Sequence, residues 1–278
     1  MIKKKILLVV VIVLLVAGAS LGLILFENSR RQIAIYPGYA EGELVYISSP
    51  VSGAVKYLSV LRGDQADPGK ALFELEREQE RAAKDQATEM LNDARVRRDR
   101  AQEDFVRQKS LLAAKVSTPQ DYDAALQTFL SADHAMIAQQ HALEVANWQY
   151  DQKIQSATKA GLVYDTYYRP GEWVPAGQPV LSLLPPEYIK VRFFVPESDL
   201  GKLQIGTPIS VASDGLSGTL PAKVSFVSPR AEYTEPIIYS RENRHKLVFL
   251  VEGSLAPKDA EKLHPGIPVE VRLSPLRR

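Results

Sequence analysis

Residues 49–76 read SPVSGAVKYLSVLRGDQADPGKALFELE, and this stretch decides the fold because its skeleton returns 108 positions later in AGLVYDTYYRPGEWVPAGQPVLSLL. Short apolar runs broken by Gly and Pro are typical of strands joined by tight turns. The glycines that we predict to be turn residues are Gly53, Gly63 and Gly69 in the first copy and Gly161, Gly171 and Gly177 in the second. Two matching strand modules predict two halves of one small sheet domain.

The apolar positions of the two copies also correspond, since Val55 aligns with Val163 and Leu75 with Leu183. Asp64 and Glu172 are aligned as well, each directly after a glycine of a turn. A carboxylate at such a position commonly accepts a hydrogen bond from a nearby backbone N–H. We therefore predict that these two acids stabilise turns and have no catalytic role.

The sequence between the copies has a helical period. Arg77 to Lys115 contains neither Pro nor Gly, and its seam positions are Ala87, Leu91, Ala94, Arg98, Ala101, Phe105, Gln108 and Leu112. A second seam follows the break at 116–119, at Ala125, Phe129, Ala132, Met136, Gln139, Leu143, Ala146 and Tyr150. Steps of four and three residues indicate coiled-coil helices, and the short break predicts an antiparallel hairpin about 55–60 Å long.

The N-terminus has the pattern of a membrane anchor. Lys3, Lys4 and Lys5 precede an apolar run from Ile6 to Phe26, which as a helix matches the thickness of a bilayer. The lysines predict a cytoplasmic N-terminus with the rest of the chain across the membrane. A cleaved signal peptide ending near Ala17-Gly18-Ala19 is the alternative, and both interpretations export the bulk of the chain.

The C-terminal segment predicts a small β-barrel with one short helix, PESDLGKL at 196–203. Its predicted strands are Tyr188–Val195, Pro208–Ala212, Leu220–Val227, Lys246–Val251 and Val269–Leu273.

Composition and motifs argue against several functions. Lys plus Arg (34) nearly balance Asp plus Glu (33), which does not favour nucleic acid, and the chain has no Cys for disulfides or thiolate chemistry. His134 and His141 are seven residues apart, whereas helical zinc ligands are usually three or four apart. No phosphate-binding or nucleophile motif is present. We predict no enzyme activity, no metal and no cofactor.

The order of these segments resembles the HlyD-type membrane fusion proteins, also called periplasmic adaptor proteins, with the glycine repeat similar to two half-motifs of a lipoyl-like domain. The resemblance implies an elongated, multidomain α+β fold: an N-terminal transmembrane helix, a lipoyl-like β-sandwich split by an antiparallel α-helical coiled-coil hairpin, and a C-terminal small β-barrel. The implied ranges are 1–31 for the anchor, 32–76 for the first lipoyl-like half with a leading strand, 77–155 for the hairpin, 156–186 for the second half and 187–278 for the barrel. The hairpin replaces the turn that bears the carrier Lys of true lipoyl domains, so no cofactor is implied.

The resemblance also implies a function, that of an adaptor between an inner-membrane transporter and a TolC-type outer-membrane channel. In such adaptors an Arg, a Leu and a Ser mark the hairpin tip, and Arg107, Leu111 and Thr118 have this spacing, followed by Tyr122 and Asp123. Thr118 can serve as a helix cap, as a partner contact or as both, and Leu111 can equally belong to the seam.

Further expectations follow from the same resemblance. The sequence ends at Arg278 without the membrane-proximal domain usual in adaptors of RND pumps, which favours an ABC-type transporter. The expected location is the inner membrane of a Gram-negative bacterium, with most of the chain in the periplasm, and the expected assembly is a hexameric ring. The alternative function is a membrane-anchored periplasmic ligand-binding module, for which the barrel would hold a pocket.

Overall fold

The computed structural model describes residues 34–233 and 247–273. The predicted transmembrane helix, Ile6 to Phe26, lies outside these ranges, and none of the helices within them has the length and hydropathy of a membrane span. The described residues form two compact units, one of residues 43–185 and one of the residues before and after it. The α+β class predicted from sequence is confirmed.

The elements are numbered in chain order. The strands are β1 (Ile35–Gly42), β2 (Val45–Ser48), β3 (Gly53–Leu58), β4 (Gln65–Ala66), β5 (Ala71–Leu75), β6 (Ile154–Ser156), β7 (Gly161–Thr166), β8 (Trp173–Val174), β9 (Pro179–Leu184), β10 (Ile189–Pro196), β11 (Pro208–Ala212), β12 (Leu220–Tyr233), β13 (Leu247–Leu255) and β14 (Pro268–Leu273). The helices are α1 (Glu78–Ala113), α2 (Pro119–Asp151), α3 (Glu197–Leu200) and α4 (Pro257–Ala260), with a 3-10 turn at Pro186–Tyr188.

The two copies of the repeat are interleaved in one core. One sheet has the order β2-β9-β7-β4 and the other β6-β5-β3-β8, so each sheet takes strands from both copies. The hydrogen bonds between the copies are reciprocal: Gly63 N–H donates to the carbonyl of Val163 (2.9 Å), and Gly171 N–H donates to the carbonyl of Val55 (2.8 Å). Both valines are buried in the shared core. Neither copy can therefore close its sheets without the other.

The turns of the repeat have the predicted chemistry. The Asp64 carboxylate accepts a hydrogen bond from Leu61 N–H (2.8 Å), and the Glu172 carboxylate accepts one from Arg169 N–H (2.9 Å). The prediction that these acids stabilise turns is confirmed. Four of the predicted turn glycines adopt a positive φ of 79–94°, a conformation that disfavours side chains: Gly63, Gly69, Gly171 and Gly177.

The other two glycines correct the prediction. Gly53 and Gly161 begin strands β3 and β7 instead of lying in turns. What they require is space, because a Cβ on Gly161 would lie 3.0 Å from the carbonyl oxygen of Leu184, and a Cβ on Gly53 would lie 3.0 Å from Lys153 Nζ.

Helices α1 and α2 form the predicted antiparallel hairpin. They contain 36 and 33 residues, which at 1.5 Å per residue makes the arm about 50 Å long. Every predicted seam position is buried or half-buried. Across the seam, the rings of Phe105 and Phe129 stack at 5.8 Å, and Arg98 Nε bonds Asp133 Oδ1 at 3.2 Å. Arg98, which belongs to a run of arginines, thus pairs the two helices.

A buried lysine joins the root of the hairpin to the sheets. The side chain of Lys153, directly before β6, is only 5% exposed, and its ammonium group lies 2.8 Å from the Glu80 carboxylate at the start of α1. The same group donates to the carbonyl of Ser52 at 2.8 Å. The ion pair therefore ties together both ends of the hairpin and the loop before β3.

A second charged cluster lies beside it. Glu74 in β5 is 3% exposed and accepts hydrogen bonds from the Tyr57 hydroxyl (2.6 Å) and the Lys56 ammonium (3.3 Å). Arg77 Nε, at the start of α1, lies 3.1 Å from the same carboxylate. Burial alone raises the pKa of Glu74, but the bonds from Tyr57 and Lys56 and the charge of Arg77 outweigh it, so that its pKa is lowered.

The second unit is a closed barrel of order β1-β10-β13-β12-β11-β14. The barrel prediction is confirmed, but strand β1 corrects the predicted range 32–76, which assigned the leading strand to the first half of the repeat. Ile35–Gly42 instead pairs with β10 and β14, and Tyr36 and Ala40 contribute to the buried interior. The partner strands of β1 lie more than 140 residues away in sequence, and no local sequence pattern predicts such a pairing.

The barrel contains a repeat that the sequence analysis missed. DLGKLQIGTP at 199–208 and DAEKLHPGIP at 259–268 each start in a short helix and lead into a strand. Lys202 bonds Asp199 at 2.5 Å, and Lys262 bonds Asp259 at 2.7 Å. The glycines of the two copies, Gly206 and Gly266, have φ angles of 90° and 91°. The barrel therefore contains the same helix-to-strand connection twice, before β11 and before β14.

The buried lysine of the root generates a prediction. We expect Lys153→Met to lower the free energy of unfolding by about 2–3 kcal/mol, because Glu80 and the carbonyl of Ser52 lose a buried charged donor. Urea unfolding of the purified chain, followed by circular dichroism, measures the change. The matched control is Lys109→Met on the exposed face of α1, for which we expect less than about 0.5 kcal/mol. Equal effects of the two exchanges would contradict a special role for Lys153.

The lowered pKa of Glu74 generates a second prediction. Its carboxylate stabilises the fold at pH values above its ordinary pKa of 4.5, and this contribution is lost as the pH falls through the lower pKa of the folded state. We expect Glu74→Gln to cost about 1–3 kcal/mol at pH 7. The difference between wild type and variant should shrink as the pH is lowered towards 3. A difference that is constant from pH 7 to pH 3 would show that the charge of Glu74 is irrelevant.

Candidate docking site at the hairpin tip

The turn between the two hairpin helices is compact and closed by backbone hydrogen bonds. Lys115 N–H donates to the carbonyl of Leu112 (3.0 Å), and Val116 N–H donates to the carbonyl of Leu111 (2.9 Å). This pair of bonds is the Schellman motif, whose left-handed position is usually Gly. Here the position is Lys115, with φ 59°, the one described non-glycine residue with a positive φ. A lysine side chain is thereby displayed at the end of the arm.

The second helix begins with a capping box. Thr118 Oγ1 accepts a hydrogen bond from Asp121 N–H (3.2 Å), and Asp121 Oδ2 accepts one from Thr118 N–H (3.3 Å). The Thr118 hydroxyl also bonds Asp121 Oδ2 at 2.6 Å. Hydrogen bonds from the Thr118 hydroxyl and backbone lower the pKa of Asp121, which keeps this carboxylate ionised. The predicted capping role of Thr118 is therefore observed, and its contact with a partner stays a prediction.

The predicted docking residues occupy different environments. Arg107 is 66% exposed and pairs with Asp104 on the same helix at 3.1 Å. Asp123 is exposed and Leu111 is half-buried. The Tyr122 ring lies 5.5 Å from that of Phe105, so this residue packs the seam near the tip. Of the five predicted residues, Arg107 and Asp123 therefore have exposed side chains that neither cap α2 nor pack in the seam, so they could contact a partner.

Sequence reasoning missed the most exposed apolar residue of the tip. Val116 is 73% exposed and lies between Lys115 and the capped start of α2. An apolar C″ residue in a Schellman motif usually packs back onto its helix, which this one does not do. The sequence indicated only that the helix breaks at 116–119. A break does not show which residue adopts the left-handed conformation or where the side chain of the next residue points.

The barrel offers a less favourable site. Its interior is filled by side chains such as Phe193, Val195 and Val211, each with no exposed surface. A groove of about 430 Å³ lies against β1, β11 and β14, and its polar lining residues are Ser213, Asp214, Glu270 and Arg272. Two of these already pair with each other, since Arg272 bonds Glu270 at 3.0 Å.

The histidines considered from sequence lie on the surface of α2. His134 and His141 are exposed, and His141 Nδ1 lies 3.1 Å from Glu144. Asp133, the neighbour of His134, bonds Arg98 across the seam. Over residues 34–233 and 247–273, no group of three potential metal ligands comes together.

Comparison with known proteins gives relatives in sequence and in structure. No family model matches the chain. It is 33% identical over 190 residues to a UPF0194 membrane protein from the asrC 5′ region of Acidithiobacillus ferridurans, a match covering 68% of this chain and 52% of the relative. A UPF0194 membrane protein of Yersinia pseudotuberculosis is 32% identical over 117 residues, 42% of this chain and 35% of the relative. The chain thus matches about half or less of the length of these curated relatives.

Solved structures share the fold at lower identity. The membrane fusion protein Spr0693 of Streptococcus pneumoniae aligns with a TM-score of 0.64 and 17% identity, covering 87% of this chain and 98% of that protein. A putative efflux transporter of Bacteroides eggerthii aligns with a TM-score of 0.54 and 18% identity, covering 87% and 68%. The resemblance predicted from sequence is thereby confirmed, and the chain has the fold of the membrane fusion, or periplasmic adaptor, proteins.

Proposed function

We propose that this protein is the periplasmic adaptor of a tripartite export system. In this function it bridges an inner-membrane transporter, with the ABC type favoured, to a TolC-type outer-membrane channel. The observation that carries the proposal is the hairpin, an arm about 50 Å long that ends in a capped turn with exposed Arg107, Val116 and Asp123. An arm of this kind serves to reach a partner, and no substrate pocket in the described residues requires it.

The proposed assembly is a hexameric ring of adaptors in the inner membrane of a Gram-negative bacterium, because one copy cannot enclose a conduit. The implied anchor is the N-terminal apolar segment. The alternative, a membrane-anchored ligand-binding module, has the barrel-side groove in its favour but leaves the hairpin without a role. In the proposed adaptor the protein performs no reaction, and neither a cofactor nor nucleic acid takes part.

The length of the arm generates the test of bridging. Deletion of residues 92–105 together with 126–139 should shorten the hairpin by about 21 Å. Because each deletion removes two heptads, the root, the tip and the alternation of four- and three-residue steps in the seam are kept. The removed segments face each other, as Arg98 and Asp133 show. The shortened chain should still co-purify a transporter from membranes but lose the outer-membrane channel and export.

Wild-type chain purified from the same membranes is the control, and circular dichroism checks that the shortened arm stays helical. Co-purification of neither protein by wild type, with a small molecule retained instead, would favour the ligand-binding alternative. An ATPase and a permease among the co-purified proteins would support the ABC type.

The tip generates a separate prediction. We expect Arg107→Asp to abolish most export while changing the free energy of unfolding by less than about 0.5 kcal/mol, because the side chain is exposed and a reversed charge meets its partner unfavourably. Leu111→Asp should also impair export by removing an apolar contact. The measurements are export in cells and thermal unfolding of the purified chain.

Matched controls lie further from the tip on the same helix. Arg97 pairs with Asp93 much as Arg107 pairs with Asp104 and is 75% exposed, so Arg97→Asp reverses an equivalent charge about 15 Å away. Met90→Asp is the control for Leu111→Asp. Full export by both tip variants would refute the docking site, and a large loss of thermal stability would identify Leu111 as a seam residue.

A further inference from the structure

One turn at an end of the barrel exposes a large apolar side chain. Ile205, between α3 and β11, is 73% exposed, and its neighbours Gln204 and Gly206 are exposed as well. Thr207 N–H donates to the carbonyl of Gln204 at 2.9 Å, and Gly206 has a φ of 90°. Ile205 is therefore the second residue of a turn whose third residue is left-handed, and such turns favour Pro at the second position.

The internal repeat of the barrel supplies a comparison for Ile205. In the second copy the same turn runs from His264 to Ile267, closed by a hydrogen bond from Ile267 N–H to the carbonyl of His264 (3.3 Å), and Gly266 has a φ of 91°. The second position of this turn is Pro265, the residue that the turn favours. The backbone of the turn therefore does not explain Ile205, and neither does packing, because its side chain is exposed.

The two copies of this turn lie at opposite ends of the barrel. Strand β10 leads into α3 and runs antiparallel to β1, so the turn of Ile205 lies at the end where β1 begins. Strand β14 follows the second copy and also runs antiparallel to β1, which places that turn where β1 ends. Ile35 and Leu247, the first residues of β1 and β13, are exposed at the same end as Ile205. This end therefore carries three exposed apolar side chains.

The sequence limits the distance between this end of the barrel and the predicted membrane anchor. Residues 27–34 alone separate Phe26, the last residue of the apolar run, from Ile35. A fully extended chain spans at most about 3.5 Å per residue, so the start of β1 lies within roughly 30 Å of the end of the apolar run. Two contacts joined by so short a tether reinforce each other through a high effective concentration. A small apolar surface at this end can therefore bind lipid that a free barrel would not bind.

We propose that this end of the barrel rests on the periplasmic surface of the inner membrane, with Ile205 inserted at the boundary between lipid headgroups and acyl chains. The contact is apolar, because the cation nearest to Ile205 in sequence, Lys202, already pairs with Asp199 at 2.5 Å. The inference rests on the proposed function, in which the N-terminal apolar segment anchors the chain. It adds a second membrane contact, which determines the end of the barrel that faces the lipid.

The absence of Cys from the sequence allows a single fluorescent label to test the contact. We expect a nitrobenzoxadiazole label on Gln204→Cys, in the full chain reconstituted into phosphatidylcholine vesicles, to shift its emission to the blue and to be quenched by nitroxide-labelled lipid. The matched control is the same label on His264→Cys, the equivalent exposed position of the second copy, which should show neither effect. High salt should leave the quenching of the first label unchanged, since the contact is apolar.

A substitution taken from the repeat separates lipid contact from folding. Ile205→Pro gives the first turn the residue of the second, so thermal unfolding of the purified chain should be unchanged or shifted upwards. In this variant the lipid quenching of the label on Gln204→Cys should fall several-fold, because the inserted side chain is shortened. Ile205→Leu keeps a large apolar side chain and should keep the quenching.

Several outcomes would overturn the proposal and leave the adaptor function standing. Equal quenching of the two labels would indicate no preferred end of the barrel, and undiminished quenching in Ile205→Pro would show that Ile205 does not contact lipid. A label on Gln204→Cys that is shielded from a water-soluble quencher in native membranes, but is not quenched in lipid vesicles, would assign this end to a protein partner. Failure of the proposed function has a different signature, since a chain without an anchor would be washed from the vesicles by alkaline carbonate.

Discussion

The pairing of strands β5 and β6 is the constraint on which the arm depends. Helix α1 starts directly after β5, and α2 ends directly before β6, while the two strands pair antiparallel through Phe73 with Gln155 and Glu74 with Ile154. Neighbouring strands lie about 4.8 Å apart, closer than two packed helices at 8–10 Å. The two helices therefore leave the sheet side by side, and a continuous seam is enough to keep them together to the tip. The ion pair of Lys153 with Glu80 fixes the same geometry with a charge buried at the root.

Much of this could be predicted from the sequence because it is encoded locally. The turns follow from Gly and acidic residues at fixed offsets, and the hairpin follows from a seam of four- and three-residue steps. Pairing between distant segments is different. Strand β1 has the same alternation whichever sheet it joins, so its place in the barrel depends on Tyr36 and Ala40 fitting an interior built by residues far along the chain. The second repeat is short: it spans ten residues with five identical positions, among them Asp199 with Asp259 and Gly206 with Gly266, and the match gains meaning only when both copies are seen to lead from a helix into a strand.

The candidate site was likewise predictable only in part from the sequence. The spacing of Arg107 and Thr118 locates the tip, but it cannot show which polar groups already have hydrogen-bond partners within the chain. The Thr118 hydroxyl bonds Asp121 and the Tyr122 ring packs near Phe105, whereas the exposed Arg107 pairs with Asp104 on its own helix. The left-handed conformation of Lys115 has no sequence signature either, since Gly is the residue that predicts it. A non-glycine residue costs conformational energy in this conformation.

The two interleaved copies differ most where the arm is attached. Under the 108-residue shift the buried Glu74 corresponds to Ser182, and Tyr57 corresponds to Asp165. In the copy that leads into α1, the Glu74 carboxylate contacts the side chains of Tyr57, Lys56 and Arg77. In the other copy, Ser182 is buried and accepts a hydrogen bond from the Tyr167 hydroxyl at 3.0 Å. Desolvating a carboxylate is costly and is offset only by well-placed donors, so the ionic cluster requires Arg77 and hence the start of α1 to lie in one position. The symmetry of the repeat is broken at the point where a direction for the arm must be specified.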